Sequence, residues 1–171
     1  GFCLVGSEMC IRDRGEIALT VDALADALAG GTASVDPTAE IAARWKIWRT
    51  EKARRCEDDR GNGVNSAAIF DSLTRKAPED AVIAVDVGNN AYSFGRYFET
   101  QSHSVLMSGY LGSIGFGYPA AMGAWCAAPE RKVIAVTGDG GFAQYMAEVT
   151  TAVKYGMNIT HVLLLSLIHI S

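Results

Sequence analysis

Apolar positions along this chain fall into two kinds of block: short unbroken apolar runs, and longer stretches where apolar residues return every three or four positions. The unbroken runs are "AVIAVDVG" from Ala81, "SVLMSG" from Ser104, "KVIAVTGDG" from Lys132 and "ITHVLL" from Ile159. Runs of that length without polar alternation are expected of strands buried on both faces. Between them, "NSAAIFDSLTRKAP" predicts a helix ended by Pro78, "YPAAMGAWCAA" a helix from Tyr118, and "FAQYMAEVTTAVKYG" one helix carrying a stripe of Phe142, Met146, Val149 and Val153. Strands separated by helices predict an α/β fold, a parallel sheet flanked by helices, with ligand chemistry at the carboxyl ends of the strands.

The first third of the chain has a different pattern. "GEIALTVDALADALAGG" predicts a short strand running into a helix that stops at Gly30. "SVDPTAEIAARWKIWRTEKARRCEDDRGNG" predicts a second helix, with Asp36 as N-cap, Pro37 at its first position and Glu40 in its first turn. Ile41, Trp45 and Trp48 share a face of it, and its charged remainder reads as solvated. Gly61 and Gly63 close the linker.

The ends obey neither pattern. Leu165–Ser171 can be encoded by CTGTCTCTTATACACATCT, whose reverse complement encodes Met-Cys-Ile-Arg-Asp and then Arg or Ser, the residues at Met9–Arg14. This inverted word resembles the transposon end used as a sequencing-library adaptor, so both tails are expected to be artefacts outside the fold. The expected organisation is residues 1–14 adaptor-derived, 15–34 the tail of a preceding domain, 35–63 a linker helix and loop, 64–164 a truncated α/β domain, and 165–171 adaptor-derived.

Composition narrows the function classes. With 49% hydrophobic and 20% charged residues and a net charge of −4, the chain reads as a soluble globular protein without the basic stripe of a nucleic-acid binder. Cys56 and Cys126, outside the suspect tails, have neither zinc spacing nor disulfide density, which fits a reducing cytoplasm. Ser104–Ala128 is uncharged and long enough to span a bilayer, but its Gly, Ser and Pro119 predict a packed loop and helix, with no membrane span.

The chemistry concentrates in "VIAVTGDGGFAQYMAEV". A strand delivers Asp139 among Gly138, Gly140 and Gly141, and a helix begins at once, so backbone amides and the helix N-terminus favour an anion. A carboxylate there tolerates a phosphate only across a cation, and Mg²⁺ accepts one or two protein oxygens alongside phosphate oxygens. An isolated Asp-Gly would make a tight turn, but the apolar helical stripe after it argues against a hairpin.

These residues resemble the thiamine-diphosphate-dependent decarboxylase, oxidase and acetolactate synthase family. In that family GDG is followed about 25 to 30 residues later by an Asn pair. Gly138, Asp139 and Gly140 match the first half, and the pair is expected at positions 165 and 166, where the adaptor-like word begins. "SGYLGSIGFGYPAAMGA" is similar to the segment that holds the cofactor bent. The resemblance implies that the Gly112 carbonyl accepts from the pyrimidine amino group, with Ser113 beside it and Ile114 wedged between the rings. "GSIGFG" lacks the GxGxxG spacing of a dinucleotide site. "DVGNNAYSFGRYF" matches the loop after the domain's first strand, making Asn89 and Asn90 contacts to the diphosphate or substrate side, or else an Asn-Asn turn. His103 is placed at the cleft entrance and His161 is read as structural.

The resemblance implies thiamine diphosphate and Mg²⁺ as cofactors, FAD in some members, and a 2-keto acid substrate such as pyruvate. The cofactor's cationic ring takes up electrons as carbon dioxide leaves. It also implies a homodimer or homotetramer of a longer, pyruvate oxidase-like or acetolactate synthase-like enzyme. The activating glutamate then belongs to an N-terminal domain absent here, no catalytic residue is assigned, and the chain alone is expected to be inactive. A doubly wound nucleotide-binding module and a non-catalytic interaction module are the alternatives.

Overall fold

A computed structural model describes residues 16–31, 35–59, 61 and 63–165; the tail at 1–14, and 166–171 of the second tail, lie outside them. The chain divides within its second helix into two compact units, Gly1–Arg44 and Trp45–Ser171.

In the first unit, helix α1 spans Ile17–Leu28. Its start is fixed by Glu16, whose Oε2 accepts the Leu19 amide at 2.7 Å, while Thr20 Oγ1 donates to the Glu16 carbonyl at 2.8 Å. The strand expected before this helix is therefore helical from Ile17 onward. A strand needs a partner, and among the described residues this segment has none; a capped helix satisfies its own backbone. Ile17, Leu19, Val21, Leu24 and Leu28 are all exposed. Helix α2 spans Thr38–Cys56. Asp36 caps it as expected, its Oδ1 accepting the Thr38 amide at 2.9 Å, and the Ile41 amide donates to the Pro37 carbonyl at 2.9 Å.

The second unit is a three-layer α/β domain. Helix α3 (Ser66–Lys76) precedes β1 (Val82–Val85), α4 (Asn89–Tyr97), β2 (Ser104–Met107), α5 (Gly117–Ala127), β3 (Val133–Gly138), α6 (Asp139–Tyr145), α7 (Glu148–Lys154) and β4 (Ile159–Leu164). The four strands are parallel in the order β2-β1-β3-β4. Val82–Val85 and Val133–Thr137 are buried throughout, which explains the unbroken apolar runs.

Each face has its own core. Ile83, Val85, Ile134 and Val136 pack with Ala67 and Phe70 of α3 and with Phe94 and Tyr97 of α4, followed by Phe98. Phe70 meets Phe94 edge to face, with centroids 5.6 Å apart. Val82, Ala84, Val133 and Ala135 point the other way, onto Tyr118, Ala121 and Ala124 of α5 and Ala152 of α7. The apolar, uncharged stretch at Ser104–Ala128 is thus divided between a strand, a turn and a helix buried along one side. No helix among the described residues is long and apolar enough to cross a membrane.

Two helical expectations change. The single helix expected at 142–156 is two, α6 and α7, because the amides of Val149 and Thr150 bond three residues back, to Met146 and Ala147, tightening the chain between them. Phe142 and Val149 of the stripe pack on the core, while Met146 and Val153 are exposed. In α2 the charged residues are not all solvated. Lys52 is 4% exposed, with its Nζ 3.0 Å from both Asp71 and Glu99. Arg49 also pairs with Glu99 at 3.0 Å, so the second half of α2 is bolted to α3 and to the segment after α4.

Candidate functional site

Strand β1 is the switch point of the sheet, since the chain leaves it for β2 on one side and returns past it to β3 on the other. The loops that follow β1 and β3 therefore diverge, and a crevice opens at their carboxyl ends. A cleft of about 650 Å³ lies there, walled by Asn89 and Asn90 at the start of α4, Ile114, the run Gly138–Gly141, Leu163 and Leu164 of β4, and Leu165 after it.

Most of the expected site residues meet in this cleft. Asp139 is the first residue of α6 and is exposed, with its Oδ1 accepting the Gly140 amide at 2.9 Å. A methyl group at Gly140 would meet nothing within 4 Å, so that backbone faces open space. Gly141 is buried beneath it. Ile114 reaches the cleft, whereas Gly112 and Ser113 are exposed on the turn before it, where the Ser113 amide donates to Ser108 Oγ at 3.1 Å.

Both Asn residues line the cleft, but not from the conformation expected of them. The pair opens a helix rather than a loop or a tight turn, because Gly88 (φ +120°) turns the chain straight from β1 into α4. Asn89 is exposed at the cleft. Asn90 is 7% exposed, and its Nδ2 donates to the Asp86 carbonyl at 2.9 Å, tying α4 to the end of β1.

The histidines serve packing. His103 does not line the cleft: it precedes β2, at the opposite end of the sheet, stacked edge-on against Phe98 at 5.2 Å. His161 Nε2 lies 2.7 Å from the hydroxyl of buried Thr137, and its ring packs on Phe142 at 4.3 Å and Tyr118 at 5.1 Å. Burial pushes the His161 imidazole below its ordinary value and the Tyr118 phenol above its own. Cys56 and Cys126 are both free.

Two parts of the site were not read from sequence. One is the wall contributed by Val64, Ser66 and Ile69 around the start of α3, with Ser93 of α4. These residues are remote in the chain from the glycines and carry no motif. The other is Asp86, wholly buried at the end of β1, whose Oδ1 accepts the amides of Val87 at 2.7 Å and Gly115 at 2.9 Å. A carboxylate ending an apolar strand was its only signal.

The residues fit a diphosphate group better than a metal bound by protein alone. Open glycine backbone at a helix start suits phosphate oxygens. Among the described residues no three His, Cys, Asp or Glu side chains cluster as a metal site. Asp139 thus suits a hard cation that takes its remaining ligands from phosphate and water, and Leu165 offers no side-chain oxygen to it.

The sequence profile of "Thiamine pyrophosphate enzyme, C-terminal TPP binding domain" matches residues 86–165. A probable acetolactate synthase large subunit of Methanococcus aeolicus is 42% identical over 93 residues, 54% of this chain and 15% of that protein. A catabolic acetolactate synthase of Raoultella terrigena is 32% identical over 155 residues, 87% of this chain and 27% of that protein. A sulfoacetaldehyde acetyltransferase of Castellaniella defragrans is 31% identical over 107 residues, 61% of this chain and 18% of that protein. The chain spans little more than a quarter of the length of these relatives at most. The matched segment runs from just after β1 to the end of β4 and contributes most of the cleft wall, and over these residues the chain carries a C-terminal TPP-binding domain of the kind found in thiamine pyrophosphate enzymes.

Proposed function

We propose that this cleft binds thiamine diphosphate with Mg²⁺, and that the longer protein to which the chain corresponds transforms a 2-keto acid such as pyruvate, as an acetolactate synthase or a pyruvate oxidase would. The observation that carries this reading is the convergence of Asp139, the Gly138–Gly141 backbone with Gly140 open, Asn89 and Ile114 on one cleft at the switch point of the sheet. Asp139 would hold the cation from the protein side, and the open backbone at Gly140 would receive the phosphates. Asn89 would offer its side-chain amide to them, and Ile114 an apolar contact to the cofactor. The cofactor supplies an electron sink for decarboxylation; the protein's share is position and the exclusion of water. The spread of relatives from acetolactate synthases to a sulfoacetaldehyde acetyltransferase supports a common cofactor site serving several reactions.

Calorimetric titration of the 171-residue chain with thiamine diphosphate, with and without Mg²⁺, tests the reading. The expected result is binding that requires Mg²⁺ and weakens at least about tenfold in Asp139→Ala, the scale of one charge-assisted contact. Equal affinity without Mg²⁺, or no binding by the folded chain, would overturn it.

A further inference from the structure

We propose that Asp86 is a positioning residue whose carboxylate sets the separation between the Gly112–Gly115 turn and the Gly138–Gly141 turn; the significance of that separation for the cofactor rests on the function proposed above. Asp86 is 0% exposed and sits under the cleft, where it meets segments from four parts of the chain. Its amide donates to the Val136 carbonyl of β3 at 2.8 Å, and its carbonyl accepts from Asn90 of α4. Its Oδ1 accepts the Gly115 amide at 2.9 Å. Its Oδ2 has no hydrogen-bond partner.

That second oxygen lies against Gly141. A side chain on Gly141 would overlap Asp86 Oδ2, and would stand 2.9 Å from its Cγ and 3.3 Å from the Gly115 amide nitrogen. A side chain on Gly117 would stand 2.9 Å from Asp86 Cβ. The carboxylate thus fills the joint between the two turns: one oxygen grips the first, and the other is the stop against which the second rests. An unpartnered buried oxygen costs stability. A Val or Leu of similar volume would avoid that cost and would leave Gly115 unbonded. A carboxylate here is accounted for by its Oδ1, which accepts both the neighbouring Val87 amide at 2.7 Å and, across the joint, the Gly115 amide. The turn it grips carries Ile114, and the turn it stops carries Asp139.

Hydrogen exchange at single amides of the full chain without cofactor, followed by NMR, tests this independently of binding. In Asp86→Ala, exchange at Gly115 should rise about tenfold or more while Val133–Val136 in β3 keeps its protection. Asp86→Asn, which retains an acceptor oxygen in the same place, should restore Gly115 to within about threefold of the parent. Thiamine diphosphate affinity should follow the same order, weakened in Ala and recovered in Asn. If Asp86→Ala does not fold, Gly141→Ala carries the test, because it leaves the carboxylate present but displaces it, and Gly115 exchange should again rise while β3 stays protected. Unchanged exchange at Gly115, or a rise shared equally by β3, would overturn the proposal. If the parent chain fails to bind thiamine diphosphate, the function proposed above falls, and the exchange pattern still decides the role of Asp86.

Discussion

The side chain of His161 illustrates how a polar residue inside a strand is kept. Its ring fills space between Tyr118 and Phe142, and its Nε2 is matched by the Thr137 hydroxyl. Burial holds its folded value below the ordinary 6.5, so between those two values the unfolded chain binds a proton that the folded chain refuses. Stability is therefore full above pH 6.5 and declines as pH falls toward the folded value. Urea denaturation from about pH 8 to about pH 5.5 should show this decline, and His161→Gln, which cannot titrate, should remove it. A parallel decline in both proteins would assign the effect to other groups.

At the scale of elements, caps and one ionic bolt place the helices that wall the cleft. Asn65 caps α3 by accepting the Ala68 amide at 2.9 Å, and its Nδ2 donates to the carbonyls of Arg55 and Asp58, both at 2.9 Å. Asn65→Ala should therefore cost about 1–2 kcal/mol, measured as a lowered urea midpoint with an unchanged slope. Lys52 is the bolt of α2. Burial raises the carboxyls of Asp71 and Glu99, but the bonds and charges of Lys52 and its neighbouring arginines outweigh it and hold both below their ordinary 3.8 and 4.5. Depressed carboxyls contribute stability above those ordinary values and lose it as pH falls through the folded ones. Lys52→Met should cost roughly 2 kcal/mol at pH 7, discounted for the partial exposure of both carboxylates, and should flatten the acid limb of the stability curve below about pH 4. An acid limb identical to the parent's would show that Lys52 does not set it.

At the scale of the molecule, apolar surface is left uncovered. Ile114 in the cleft wall, Tyr110 and Leu111 earlier on the same turn, and Leu163 and Leu165 at the end of edge strand β4 are all exposed, as is the apolar side of α1. The chain should therefore self-associate at tens of micromolar, seen by sedimentation velocity as species heavier than the 18.2 kDa monomer. A single monomeric boundary at that concentration would contradict this. By itself, the sequence determined the parallel α/β class, the four strands and the GDG turn: β1 and β3, buried on both faces, must be unbrokenly apolar, β2 and β4 keep apolar runs although only partly buried, and a strand-to-helix turn around an acid needs glycine. It could not determine strand order, the wall from α3, the burial of Lys52 or the hub at Asp86, which depend on residues far apart in the chain. Nor did it decide that α1 is helical from Ile17, since a short apolar run suits strand or helix until a neighbour is present to pair with. Tertiary structure decided these, because burial and hydrogen-bond satisfaction are properties of what packs around a residue.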